Sequence, residues 1–138
     1  MATLSVNGYE AFSLSMAELA ELPDDVLDEM LRAEAAVIET EQRQSGERYG
    51  VRRTGRTLAS IGPGKIRRTS DGKAITVYPI GRNAKRDLTA MVAFLNEYGR
   101  PGQKPRPFIR DANERGAEKA AKAAEEVYDN YLRKKGLI

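Results

Sequence analysis

Residues 88–112, LTAMVAFLNEYGRPGQKPRPFIRDA, form the stretch that decides the fold expected of this chain. Gly99 is expected to end a helix, and the X-Pro steps at Pro101 and Pro105 favour extended backbone in the loop that follows. A third such step, at Pro107, delivers Phe108 to the start of a second, long helix, where we expect a buried aromatic anchor. The first helix has apolar residues at three- and four-residue steps, as an amphipathic helix requires: Leu88, Met91, Val92, Leu95 and Tyr98.

Two longer helices are predicted on either side of this stretch. Residues 23–44 have a helical apolar pattern, and the acidic residues of their first two turns suit the helix dipole. Residues 109–134 form the last helix, which presents mostly small residues along its inward line. Because small residues let a second helix approach closely, we expect the helix at 23–44 to be its partner. The inward line is Ala112, Gly116, Ala120, Ala123, Val127 and Tyr131.

The strongest strand signal lies at residues 65–80, where Asp71-Gly72 favours a tight turn between two strands, 65–70 and 73–80. Ile66, Ile75 and Val77 fall on one face of this hairpin, which we expect to pack on the two long helices. Residues 3–12 have a weaker strand pattern broken by Asn7-Gly8, which indicates one bent strand or a small hairpin.

The remaining segments are predicted as short helices and loops. Ser15 to Glu18 fits a capping box that opens a short helix, and Thr54 is expected to cap another that runs through Ser60. We expect Gly62-Pro63-Gly64 to end that helix, and Asp87 to cap the helix that starts at Leu88. The polar segments 45–53 and 81–86 are expected to be mobile loops.

Together these elements predict a single α+β domain over residues 1–138. Two long helices would pack on a small antiparallel sheet built around a β-hairpin, with one shorter helix. A chain of 138 residues can bury one core but not two. Its start lacks the basic and continuous apolar features of a signal peptide, and no apolar run approaches the length of a membrane span.

Composition excludes most catalytic chemistry. The chain contains no cysteine and no histidine, so thiolate chemistry, disulfides and the commonest general base are absent. Gly64-Lys65 lacks the preceding glycine and the following Ser or Thr of a phosphate-binding loop. The acidic residues of 24–29 are expected to be dipole partners and not metal ligands. We therefore expect no enzyme, cofactor or metal site; a carboxylate nuclease is the one enzyme class left open, and nothing specifies it.

Charge is segregated along the chain. Residues 1–46 carry a net −8, residues 47–86 a net +9 and the remainder +2. This pattern favours a polyanion-binding surface or complementary patches between copies of the chain. A domain whose acidic face and basic face are both simply exposed to solvent would also show it. The basic residues that form the candidate DNA-contacting or inter-subunit surface are Arg52, Arg53, Arg56, Arg67, Arg68, Arg82, Lys85 and Arg86.

Two short motifs resemble a known family. The first is a helix ending in E-x-G, a polar loop, then a Pro-Phe pair followed by an aliphatic residue and an alanine; here it comprises Glu97, Tyr98, Gly99, Pro107, Phe108, Ile109 and Ala112. The second is residues 54–61, TGRTLASI, which is similar to the family segment T-G-x-L-x-x-S-I with one extra residue before Leu58. Over residues 22–135 the chain thus resembles the gene-product-ten-like neck and tail-completion proteins of long-tailed phages. It departs from them at Gly99-Arg100, where the family usually has Gly-Thr.

The resemblance implies a structural virion protein of the neck, synthesised in the host cytoplasm. Such a protein forms a ring, six-fold in this family, that joins the head connector to the tail and lets duplex DNA pass without sequence specificity. Its other partners would be head-completion and tail-terminator or tail-tube proteins. The resemblance does not distinguish a tail-terminator role from a tail-completion role. The candidate contact residues are Glu97, Tyr98, Gly99, Arg100, Lys104 and Arg106.

The alternative is a nucleic-acid-binding module that uses the basic segment 47–86. Tyr49 and Tyr78 would be its stacking residues. The strongly acidic first third argues against a general DNA binder, because it would repel a polyanion.

Overall fold

The computed structural model describes residues 2–6, 9–14, 22–51, 55–70 and 72–137. The elements in chain order are β1 (Ala2–Val6), β2 (Tyr9–Leu14), α1 (Asp24–Arg48), α2 (Arg56–Ala59), β3 (Ile61–Pro63), β4 (Arg67–Thr69), β5 (Gly72–Ile75), β6 (Val77–Pro79), α3 (Thr89–Tyr98) and α4 (Phe108–Lys134). This composition of elements confirms the α+β class.

The two long helices α1 and α4 pack against each other in antiparallel fashion. The Gln42 side-chain amide donates to Asn113 Oδ1 at 3.0 Å, and Lys119 Nζ lies 2.9 Å from Glu41 Oε1. Between these contacts a Cβ placed on Gly116 would lie 3.0 Å from Ile38 Cδ1. The predicted close approach through small residues is therefore confirmed, with Ala124 buried in place of the predicted Ala123, which is half-buried.

The strands form a four-stranded sheet in the order β2-β1-β5-β4 and a separate pair, β3 and β6. β1 and β2 form the small N-terminal hairpin, and β4 pairs with β5 around the predicted turn, whose Asp71 lies outside the described residues. β1 runs parallel to β5, so this sheet is mixed and not wholly antiparallel as predicted. The predicted second strand, 73–80, is in fact two strands, because Val77–Pro79 leaves β5 to pair with Ile61–Pro63.

The apolar face of the hairpin lies in the core, as predicted. Ile75 and Val77 are buried and Ile66 is half-buried against the same cluster, which also contains Met30 and Leu31 of α1. Phe108 is completely buried at the start of α4 and is the largest of the fully buried side chains that the structure describes. The predicted anchor is therefore confirmed.

Helix α1 extends further than the sequence indicated. It continues to Arg48, so residues 45–48 are helical and not part of a loop. Ser45 and Gly46 are weak helix formers, but both are buried, and Leu58 packs directly against Gly46. Packing of this turn thus outweighs its intrinsic propensity.

The short helices begin differently from the predictions. Gly55 occupies the N-cap position of α2, whereas Thr54, like the predicted helix at Ser15 to Glu18, lies outside the described residues. After α2 the chain enters strand β3, so the segment 62–64 does not simply form a terminating loop. At α3 the predicted cap by Asp87 is wrong. Instead, the N–H and the hydroxyl of Thr89 both donate to the Gly81 carbonyl.

Helix α3 buries its small face and exposes most of its predicted apolar line. Thr89 and Ala93 are its buried residues, whereas Met91 is 55% and Tyr98 66% exposed. The amphipathic pattern is present, but the described part of this chain does not cover it. No helix in the described part is long and apolar enough to cross a bilayer.

Candidate functional site: a basic groove beside helix α3

A groove of about 690 Å³ runs between helix α3, the loops 81–88 and 99–106, and the segments that flank α2. Its floor is aliphatic and comes largely from α3, with Leu88, Met91, Val92 and Leu95. Its rim is cationic and is formed by Arg56, Arg82, Lys85, Arg86, Arg100 and Arg106. Asp87 is the single acidic side chain among the described lining residues, so the groove is strongly positive.

One side of the rim is the loop 81–88, which Asn83 holds closed. Asn83 Oδ1 accepts hydrogen bonds from the backbone N–H of Lys85 at 2.9 Å and of Asp87 at 3.0 Å. The Arg82 guanidinium donates to the Arg86 carbonyl at 2.7 Å. Arg86 itself has a φ of +66°, a conformation that L-residues seldom adopt. These bonds fix the backbone from which Lys85 and Arg86 project.

The opposite side of the rim is the loop 99–106, which is tied back to α3. Gly99 has a φ of +79°, and a Cβ there would lie 2.9 Å from both the Gln103 carbonyl oxygen and the Pro105 nitrogen, so a glycine is required. The Arg106 N–H donates to the Asn96 carbonyl at 2.6 Å, and Arg100 and Gln103 exchange backbone hydrogen bonds. Arg100 and Arg106 are thereby held on the rim by backbone contacts.

Glu97 connects this loop to the long helix α4. Its carboxylate accepts hydrogen bonds from the backbone N–H groups of Ile109 at 2.9 Å and Arg110 at 3.1 Å. The first N–H groups of a helix have no partner within the helix, and a carboxylate also interacts favourably with the positive end of the helix dipole. Glu97 thus caps α4 within its own chain. The sequence did not indicate this role, because Glu97 and Ile109 lie twelve residues apart.

Comparison with known proteins gives no relatives. No family model matches the chain, and no curated protein and no solved structure matches it either. The phage-neck resemblance of residues 54–61 and 97–112 therefore remains an interpretation of the sequence.

The structure brings two predicted sets of residues together in one groove. Arg56, Arg82, Lys85 and Arg86 come from the basic segment, and Arg100 and Arg106 come from the predicted contact loop. These residues are distant in the sequence. Only the local excess of positive charge indicated that some of them could form one surface.

Other predicted site residues lie elsewhere. Arg68 on β4 pairs with Asp24 at 2.8 Å, and Arg67 is exposed on the same strand, away from the groove lining. Lys104 is exposed beside the groove without lining it. Arg52 and Arg53 lie outside the described residues.

The two predicted stacking tyrosines do not line the groove. Tyr49 is half-buried against the core, and Tyr78 lies on β6, where it packs over Gly64. Phe94 and Tyr98 do form an exposed ring pair on α3, with centroids 4.8 Å apart and planes at 50°. The structure therefore presents two neighbouring surfaces on α3, an aromatic face and a basic groove.

Proposed function

We propose that this chain is a structural subunit of a phage neck, a ring-forming tail-completion or head–tail joining protein. The ring, six-fold in the family that the sequence resembles, would connect the head connector to the tail and let duplex DNA pass without base readout. It would contact head-completion and tail-terminator or tail-tube proteins, and it would have no enzymatic activity. The observation that carries the proposal is the exposed apolar face of α3.

The composition of that face is typical of protein–protein contacts. Met91 and Phe94 are each 55% exposed and Tyr98 is 66% exposed. Aromatic residues and methionine are enriched at interfaces, and large exposed apolar patches on a folded domain commonly mark interaction sites. A second protein surface would remove this face from water, as an assembly subunit requires.

The loop that borders this face is prepared for contact. Tyr98, Arg100, Lys104 and Arg106 are exposed along it, while the Glu97 cap and the Asn96 hydrogen bonds hold it against the rest of the domain. A loop that is already ordered loses less conformational entropy on binding than a flexible one. These residues support a contact with a neighbouring ring protein.

The state of assembly tests this proposal. Mass photometry, light scattering and negative-stain electron microscopy of the purified chain should show closed rings with a central channel at high protein concentration. Phe94→Ser combined with Tyr98→Ser should reduce ring formation without unfolding the protein, and Lys122→Ser on the exposed face of α4 serves as the control. A chain that stays monomeric up to about millimolar concentration would contradict the proposal, since even a contact of about 4 kcal/mol associates there.

A second function is favoured by the cations of the groove. Six arginine and lysine side chains on one rim could neutralise the phosphates of a nucleic acid. In that case the monomer would bind short duplex DNA with a steep dependence on salt, and no ring would form. Gel shifts at low and high salt, performed beside the assembly measurements, separate the two functions.

A further inference from the structure

We infer that the basic groove of one copy binds the acidic start of helix α1, residues 24–29, of the adjacent copy. This inference rests on the proposed ring and names its subunit contact. It assigns the groove to an acidic protein segment, in contrast to a nucleic acid.

The groove has cations that the described part of the chain leaves without a partner. Lys85, Arg86 and Arg100 make no side-chain hydrogen bond or ion pair with any described residue, although the loops that carry them are held by backbone contacts. Between them lies the aliphatic floor of α3. A site with a cationic rim fits a segment that presents carboxylates.

The start of α1 has this chemistry. Residues 1–31 contain seven acidic and no basic residues. Asp25 and Glu29 are exposed and form no ion pair within the described residues, whereas Asp24 and Asp28 contact Arg68 and Lys73. The apolar residues of this turn, Val26 and Leu27, pack against the core of their own copy, so the segment presents its carboxylates to a neighbour.

The length of α1 requires that the contact join two copies. Gly50 and Val51, which follow the end of α1, line the groove. The 25 residues of α1 span about 37 Å, so the acidic start lies at the far end of the helix from the groove of its own copy. A contact between two different patches of one chain is heterologous, and such contacts generate rings when the rotation closes.

The floor of the groove is unsuited to stacking the bases of a single-stranded nucleic acid. Single-stranded nucleic acids bind by stacking bases on aromatic side chains, but the floor is formed by leucine, methionine and valine. Phe94 and Tyr98 lie outside the groove lining.

Cysteine cross-linking tests the contact directly, since the chain contains no cysteine of its own. We choose Asp25→Cys and Lys85→Cys, which avoids the strained backbone at Arg86. Mixing the two single variants should give a mixed disulfide dimer, and one chain with both substitutions should give a ladder of covalent oligomers. Lys122→Cys, exposed on α4, replaces Asp25→Cys in the control and should give no ladder.

The outcomes of cross-linking distinguish a failure of this inference from a failure of the proposed ring. Rings that form while Asp25→Cys and Lys85→Cys do not cross-link would overturn the groove contact and leave the ring intact. Efficient dimers of Asp25→Cys with itself would also overturn it, because they indicate a symmetric contact.

Charge exchange provides a second test. In the full chain, Lys85→Glu with Arg100→Glu should weaken ring assembly at least about tenfold, and the further substitutions Asp25→Lys and Glu29→Lys in the same chain should restore it. Lys122→Glu with Lys134→Glu, at exposed positions of α4, is the control and should leave assembly unchanged. Failure of the four substitutions together to restore assembly, or binding of short duplex DNA that depends on Lys85 and Arg100 in place of assembly, would overturn the inference.

Discussion

At the scale of single residues, Glu34 is the most unusual group in the core. It lies on α1 and is completely buried, and neither of its carboxylate oxygens has a hydrogen-bond partner among the described residues. Burial raises the pKa of Glu34 from 4.5 to about 8, because removal from water disfavours the charged form. The side chain is therefore mostly protonated at neutral pH, and it lowers the stability of the fold as the pH rises.

Glu34 should make stability depend on pH in the window between about 4.5 and 8. In the unfolded chain this carboxyl ionises above pH 4.5, whereas the folded protein retains the proton until about pH 8. Stability thus falls with increasing pH across that window, by up to roughly 3–5 kcal/mol. Glu34→Met should be more stable than the parent at pH 8 and should flatten this dependence in urea denaturation. Glu29→Gln, at an exposed position, should leave the dependence unchanged; an unaltered pH profile in Glu34→Met would contradict the prediction.

Phe108 and Phe94 form a matched pair for measuring burial. Phe108 is completely buried, whereas Phe94 is 55% exposed on α3. Phe108→Ala should cost about 3–5 kcal/mol through lost burial and the cavity left behind. Phe94→Ala removes the same atoms from the surface and should cost less than about 1 kcal/mol. Chemical denaturation of the two variants checks the difference, and similar costs would show that Phe108 is not the anchor.

At the scale of elements, the sequence predicts the long helices better than the strands. Apolar periodicity located α4 to within one residue at its start and α1 to within four residues at its end. The end of α1 was missed because Leu58 packs on Gly46, a tertiary contact that local propensity does not contain. The placement of Val77–Pro79 in a second sheet was missed for the same reason, because it depends on pairing with Ile61–Pro63.

The joint between α3 and α4 should depend on the backbone conformation of Gly99. Its φ is +79°, and a Cβ would contact the Gln103 carbonyl oxygen and the Pro105 nitrogen at 2.9 Å. Gly99→Ala should therefore combine left-handed strain with a backbone clash and cost about 2–3 kcal/mol or more. Gly102 has a similar φ of +82° but open space around its Cβ position, so Gly102→Ala should cost only about 1–2 kcal/mol. Equal losses in thermal or urea denaturation would show that the clash at Gly99 is relieved.

At the scale of the whole molecule, the sequence predicted the components of the site but not its assembly. The basic character of Arg56, Arg82 and Arg100 was visible, yet their convergence depends on how α2, the loop 81–88 and the loop after α3 fold together. The periodicity of α3 likewise predicted an apolar face. Periodicity alone does not show whether such a face is covered by the same chain or by another, and in the described structure it is exposed.

The salt dependence of association should distinguish the contributions of the two surfaces of α3, the basic groove and the aromatic face, to the assembled ring. Raising ionic strength from about 0.1 M to 1 M shortens the Debye length from about 10 Å to 3 Å, so a contact between the groove and the start of α1 should weaken. Lys85→Glu with Arg100→Glu should associate less and lose this dependence. Phe94→Ser should weaken association at every salt concentration while keeping the wild-type slope, because apolar burial is not screened. Sedimentation velocity across the salt series measures both effects. Wild-type association that does not respond to salt would mean that the aromatic face alone holds the subunits together, and that the groove serves another ligand.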